Sequence, residues 1–154
     1  MNIGVFVCHC GSNIAGTVDT EAVAKAALEY REVVFATDAM YACSEPGQAG
    51  IVEAIGTYAL DGVVVASCTP RMHEATFRRT LERAGLNRYM FEMANIREHV
   101  SWVGKDKAAN TRKAAELVHM AVEKLRRNER LQAGEFDIAK RVMVIGGGVA
   151  GIQA

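Results

Sequence analysis

The sequence predicts an α/β domain, an open and mostly parallel sheet of about four strands with helices on both faces, of the Rossmann or flavodoxin-like kind. Three observations predict it. Short β-branched runs alternate with longer stretches of helical periodicity, so the order reads βαβαβαβα, which calls for a parallel sheet with right-handed crossovers. Val63-Val64-Val65-Ala66 shows no polar alternation, as expected of a strand covered on both faces. At 154 residues the chain has the length of roughly one domain.

The elements follow in order. Ile3-Gly4-Val5-Phe6-Val7-Cys8 reads as the first strand, and the polar stretch from Gly11 to Thr17 as a loop. Asp19 is placed to cap a helix over 20–30, with Val23, Ala26, Ala27 and Tyr30 on one face. Val33 to Ala36 is a second strand. Pro46, at a position helices tolerate near their start, opens a helix to about Tyr58. Gly62 to Ser67 is the third strand, followed by a helix from about Met72 to Ala84 that Gly85 stops. Tyr89 to Met93 is a fourth strand, and Asn95 to Trp102 a loop or short helix. A long helix over 106–128 buries Ala114, Leu117, Val118, Ala121 and Leu125.

Composition excludes several classes. Half the residues are hydrophobic and 23% are charged, an ordinary soluble balance. Lys plus Arg and Asp plus Glu are both 18, for zero net charge, which argues against nucleic-acid binding. No apolar run approaches the roughly 18 residues of a membrane span, and Met1-Asn2-Ile3 leads in without the basic start of a signal peptide. The expected compartment is the cytoplasm.

Residues 129–140 read as a linker after the domain at 1–128. Residues 141–154 then repeat a strand signal, Val142-Met143-Val144-Ile145, running into Gly146-x-Gly148-x-x-Gly151. That is the context of a dinucleotide fingerprint, with a tight turn, close backbone approach to pyrophosphate and a helix N-terminus. The 14 residues stop before any ribose-binding acid, so a second domain is begun and not completed. No nucleotide binding is expected of this chain.

Chemistry concentrates in cysteine. Cys8 ends the first strand, Cys10 lies in the loop behind it, Cys43 follows the second strand, and Cys68 follows the third. In an open parallel sheet these loops share the carboxyl edge, where ligands bind. In a reducing compartment such thiols are metal ligands or redox groups rather than staples. Four thiolates suit a [4Fe–4S] cluster or tetrahedral zinc, and the spacing matches neither a ferredoxin nor a zinc ribbon. Free cysteine is also a common small core residue, which suits Cys68 better than Cys8-His9-Cys10. A Cys8–Cys10 disulfide requires distorted geometry and ranks last. His9 reads as a polar loop residue beside the thiols, and His73, His99 and His119 as ordinary. Arg71, Arg97 and His99 follow strands on the same edge, as a solvated rim or as charges that offset a thiolate-bound cluster.

On these residues the chain resembles the A subunit of heterodisulfide reductase, the flavin and iron–sulfur component of that enzyme in methanogens and other anaerobes. The resemblance rests on Ile3 to Ile14 with its Cys8-His9-Cys10-Gly11, on Cys43-Ser44-Glu45-Pro46-Gly47-Gln48, on Val64 to Glu74 around Cys68-Thr69-Pro70-Arg71-Met72-His73, and on Phe91 to His99. It covers nearly the whole chain. It implies a [4Fe–4S] cluster held by Cys8, Cys10, Cys43 and Cys68. It also implies an FAD domain beginning at Gly146, Gly148 and Gly151, so that FAD belongs only to the full-length protein, and a role in flavin-based electron bifurcation. The implied partners are the FAD and ferredoxin domains of the parent polypeptide, other heterodisulfide reductase subunits, and a hydrogenase or other electron donor. The chain alone is expected to have no turnover. Its rival reading is a structural or docking module with zinc-bound or free cysteines. The sequence departs from the family at Val100 and Gly104, where many members are expected to carry cysteine and histidine.

Overall fold

A computed structural model describes residues 1–132 and 134–154. Its centre is a four-stranded, all-parallel sheet in the order β2-β1-β3-β4, built from β1 (Ile3–Cys8), β2 (Val33–Ala39), β3 (Gly62–Ser67) and β4 (Phe91–Asn95). The helices are α1 (Ser12–Ala15), α2 (Thr20–Ala27), α3 (Glu45–Thr57), α4 (Pro70–Arg83), α5 (Lys107–Leu125) and α6 (Val149–Gln153). Helices α2 and α5 pack on each other and on the sheet, while α3 and α4 pair and cover β1 and β4. The expected architecture is therefore present.

Central position explains composition. Strands β1 and β3 are buried at every residue and are almost wholly apolar, because each has a strand on either side and helices packed against it. Strands β2 and β4 are edges and mix in Thr37, Asp38, Glu92 and Asn95 at half-buried positions. The core continues through Ile14, Val23, Ile51, Phe77, Leu81, Val118 and Leu125. Local chemistry sets the helix starts. The carboxylate of Asp19 accepts from Ala22 N, the hydroxyl of Ser44 from Gly47 N, and the carboxylate of Asp106 from Ala109 N. Gly85 ends α4 with φ +77°, in the left-handed region glycine favours.

Several bounds differ from the sequence expectation. Strand β2 runs on to Ala39 and β4 begins two residues later than expected. Helix α2 stops at Ala27, and α4 already starts at Pro70. The loop after Cys10 contains the short α1, and Arg97–Ser101 forms a π-helical turn. The strand expected at Val142–Ile145 is not formed: residues 134–147 carry no regular element, and Val142, Met143 and Ile145 stand exposed. A strand needs a neighbour to accept its hydrogen bonds, and none is present among the described residues. The helix after the glycines does form, as α6, with Gly148 at its N-cap.

Candidate metal centre

Strand order creates the site. The chain leaves β1 toward β2 on one side, and β3 and β4 lie on the other, so the carboxyl ends of β1 and β3 flank a switch point where crossovers diverge and leave a crevice. Cys8 is the last residue of β1 and Cys68 directly follows β3. Cys43 precedes the N-cap of α3, and Cys68 precedes the N-cap of α4. The positive ends of two long helix dipoles therefore lie beside these thiols, and such ends favour thiolate.

All four cysteines line one small cavity, together with Tyr41, Ser67, His73, Phe77 and Arg97. They are free thiols. A larger groove beside β2, lined by Phe6, Phe35, Pro46 and Tyr58, contains no cysteine.

The Cys8-His9-Cys10 loop is held in an unusual backbone. Cys10 has φ +48° and Gly11 φ +58°, a left-handed pair that is costly at a non-glycine position. A Cβ on Gly11 would meet the Tyr41 hydroxyl at 2.7 Å, but Tyr41 is exposed and its ring can move, so it is the positive φ that calls for glycine. The turn brings Cys10 N to donate to Cys8 Sγ at 3.3 Å, and Ala42 N donates to the same sulfur at 3.4 Å. Burial nevertheless pushes the Cys8 thiol above its ordinary range, the two backbone donors working against that rise. Burial also raises Cys68, opposed by the positive charge of Arg97. Without a metal these two groups hold their protons, and a metal would displace them on binding.

The sequence candidates separate cleanly. His9 turns away from the sulfurs: its Nε2 lies 2.6 Å from Asp38 Oδ2, an oxygen that also accepts from Thr20. Arg97 does reach the cavity, and its guanidinium donates to Cys10 Sγ at 3.1 Å. Arg71 and His99 line no part of it. His119 stacks on Tyr30, with ring centroids 4.5 Å apart. Val100 is fully buried in the hydrophobic core and does not line the cavity. Gly146, Gly148 and Gly151 lie in the C-terminal stretch, outside this site.

Sequence reasoning missed Tyr41, Ser67 and Phe77 as lining residues and read His73, which also lines the cavity, as ordinary. His73 is legible in the sequence, because His73, Phe77, Thr80 and Leu81 form one inward stripe of α4. Ser67 is not, since only side-chain placement reveals that its buried Oγ has no hydrogen-bond partner.

The donor set fits an iron–sulfur cluster. Its four possible ligands are all thiols, the soft donors iron–sulfur centres use. Among the described residues no three His, Cys, Asp or Glu side chains converge as one metal ion requires.

Fold and site thus define an open α/β domain with a four-thiol cavity at its switch point. No family model matches the chain. Its relatives are nevertheless clear. It is 58% identical over 153 residues to the iron-sulfur component A 2 of the CoB–CoM heterodisulfide reductase of Methanopyrus kandleri, covering 99% of this chain and 23% of that protein. It is 54% identical over 153 residues to the A subunit of the H(2):CoB-CoM heterodisulfide,ferredoxin reductase of Methanothermobacter marburgensis, with the same coverage. The iron-sulfur A subunit of the CoB–CoM heterodisulfide reductase of Methanocaldococcus jannaschii is 50% identical over 153 residues, again 99% and 23%. The chain is a homologue of the heterodisulfide reductase A subunit, and it spans about a quarter of the length of these relatives. Among the described residues no helix is long and apolar enough to cross a membrane.

Proposed function

We propose that this chain is an electron-transfer module of a heterodisulfide-reductase-type complex, with Cys8, Cys10, Cys43 and Cys68 holding a [4Fe–4S] cluster. One observation carries the reading: four thiols from three separate segments line a single cavity. The relatives' description as iron-sulfur subunits points the same way. When bound, the cluster supplies one-electron storage at a potential set by its surroundings.

The chain's own residues do the rest. The N–H groups of Cys10 and Ala42 orient Cys8 and offset its charge. Arg97 places a fixed cation against Cys10. Phe77, fully buried, excludes water from the inner wall. Around the site Met40, Tyr41, Met72 and Trp102 are exposed, an apolar rim of the kind that marks a contact surface. Electrons would pass there to and from the flavin domain of the parent polypeptide, in flavin-based bifurcation with the other subunits. Gly146, Gly148 and Gly151 would serve that polypeptide's FAD. Free thiols suit a reducing compartment, and the cytoplasm is the reading they support.

The test is anaerobic reconstitution of the 154-residue chain, with iron, sulfide and zinc analysis and EPR of the reduced protein. About four irons and four sulfides per chain, lost in Cys8→Ser and Cys68→Ser, would support the assignment. Zinc, or no metal in a folded protein, would overturn it in favour of a scaffold or docking module.

A further inference from the structure

We propose that the Ser67 hydroxyl donates a hydrogen bond to a sulfur of the bound cluster and thereby raises its reduction potential, an inference that rests on the cluster reading above. Five polar side chains are buried in the described structure: Thr20, Ser67, Thr80, Ser101 and Asn110. Four have internal partners. Thr20 donates to Asp38, Thr80 to Gln48 or the Thr76 carbonyl, Ser101 to the Asn13 carbonyl, and Asn110 to the Gly104 carbonyl. Ser67 is 2% exposed, and its Oγ has no partner.

Buried hydroxyls are rarely left unpaired, because losing water without a replacement bond is costly. Nothing in the strand demands a serine. The preceding residues Val63, Val64, Val65 and Ala66 are apolar, and alanine would fill the position without an unsatisfied group. Ser67 also lines the cavity of the four cysteines, while the cysteine sulfurs themselves accept nothing from it. The hydroxyl therefore addresses what fills the cavity. A cluster's sulfides and ligating thiolates are strong acceptors, and reduction adds one negative charge to them. A donor aimed at sulfur stabilises that reduced state more than the oxidised one.

The experiment compares the native chain with Ser67→Ala and Ser67→Thr after anaerobic reconstitution. Iron and sulfide are counted, the potential is measured by EPR-monitored titration, and exchangeable deuterons near the cluster are detected by pulsed EPR after transfer to heavy water. The expected result for Ser67→Ala is unchanged iron and sulfide and the loss of one strongly coupled deuteron. Its reduced-to-oxidised ratio at a fixed potential should fall roughly tenfold, which is 59 mV for one electron. Ser67→Thr, which keeps a hydroxyl, should restore both signals. An unchanged potential and deuteron coupling in Ser67→Ala would overturn the proposal. Loss of iron in that variant would overturn it too, since the hydroxyl would then act in holding the site together. A native chain that takes up no iron would sink the cluster reading itself, a result no Ser67 variant can mimic.

Discussion

Arg97 and Cys10 meet at the edge of the cavity, where the Arg97 Nη1 donates to the Cys10 Sγ at 3.1 Å although the residues lie 87 positions apart. The guanidinium is clamped from several sides. Glu98 accepts from its Nε and Nη2, its Nη2 lies 3.4 Å from Met72 Sδ, and the Trp102 ring centroid is 4.7 Å from its central carbon. Burial works against its charge, but the hydrogen bonds to Glu98 and Cys10 outweigh that and push its pKa above the ordinary arginine value. It is a permanent cation beside a thiol.

Replacing that cation with a neutral group therefore has a signed electrochemical effect. In reconstituted Arg97→Gln the cluster is expected to be harder to reduce, by about 60 mV if the ion is worth a tenfold shift in the redox ratio. EPR-monitored titration reads the change. An unchanged potential would show that solvent screens the charge, and a higher one would overturn the predicted sign.

Val100→Cys tests the family departure directly. Position 100 is fully buried among core residues and lines no part of the cavity. A cysteine there should change neither the iron count nor the EPR spectrum, and should cost about 1 kcal/mol for a small change of core shape. A new ligand field in the spectrum would show that the π-helical turn at Arg97–Ser101 rearranges to deliver the thiol.

Gly104 is fixed by its neighbour. A Cβ there would collide with Asn110 Oδ1, while Asn110 Nδ2 donates to the Gly104 carbonyl at 3.0 Å. Gly104→Ala should cost about 1–3 kcal/mol through overpacking, and the larger Gly104→His more. In a double-mutant cycle read by urea denaturation, Asn110→Ala should recover part of the loss. Additive costs would show that the two residues do not collide.

Strand β3 is legible to the residue, because a strand buried on both faces is written as an unbroken apolar run. Strand β2 reads short in the sequence, because Thr37 and Asp38 look like loop residues. As an edge strand it tolerates them, and Asp38 is anchored by His9 and Thr20. Strand β4 reads two residues early since Tyr89 has a strand-like side chain, yet that ring packs under Arg78 and Arg88 instead of joining the sheet. The gathering of the cysteines is legible because topology alone sends the loops after parallel strands to one edge. The diverging roles of His9 and Arg97 are not, since they depend on which way each side chain turns.

Glu32 carries an acid-dependent part of the stability. Its carboxylate pairs with Arg126 and lies 3.6 Å from the N-terminal ammonium, and the hydrogen bond from Arg126 holds its pKa below the ordinary carboxylate value. A depressed folded-state pKa stabilises the fold above the unfolded-state pKa and loses that contribution as pH falls through the folded one. Glu32→Gln should therefore lower stability at neutral pH and flatten its fall below about pH 4. Thermal melts across the acid range read this directly. An acid limb as steep as the native one would place the titrating group elsewhere.

The switch-point position of the cysteines ties occupancy to the folding equilibrium. Cys8 and Cys68 are 60 positions apart, and the strands they terminate are adjacent in the sheet. Whatever bridges them closes a long loop and binds only when β1 and β3 are paired. Mass action then transfers its binding free energy to the paired state. Loading should slow amide hydrogen exchange most along Val5–Val7 and Val63–Ala66, the centre of the sheet, and little in α6, which lines no part of the cysteine cavity. The two central strands become the hinge pin of a clasp that the bound group fastens.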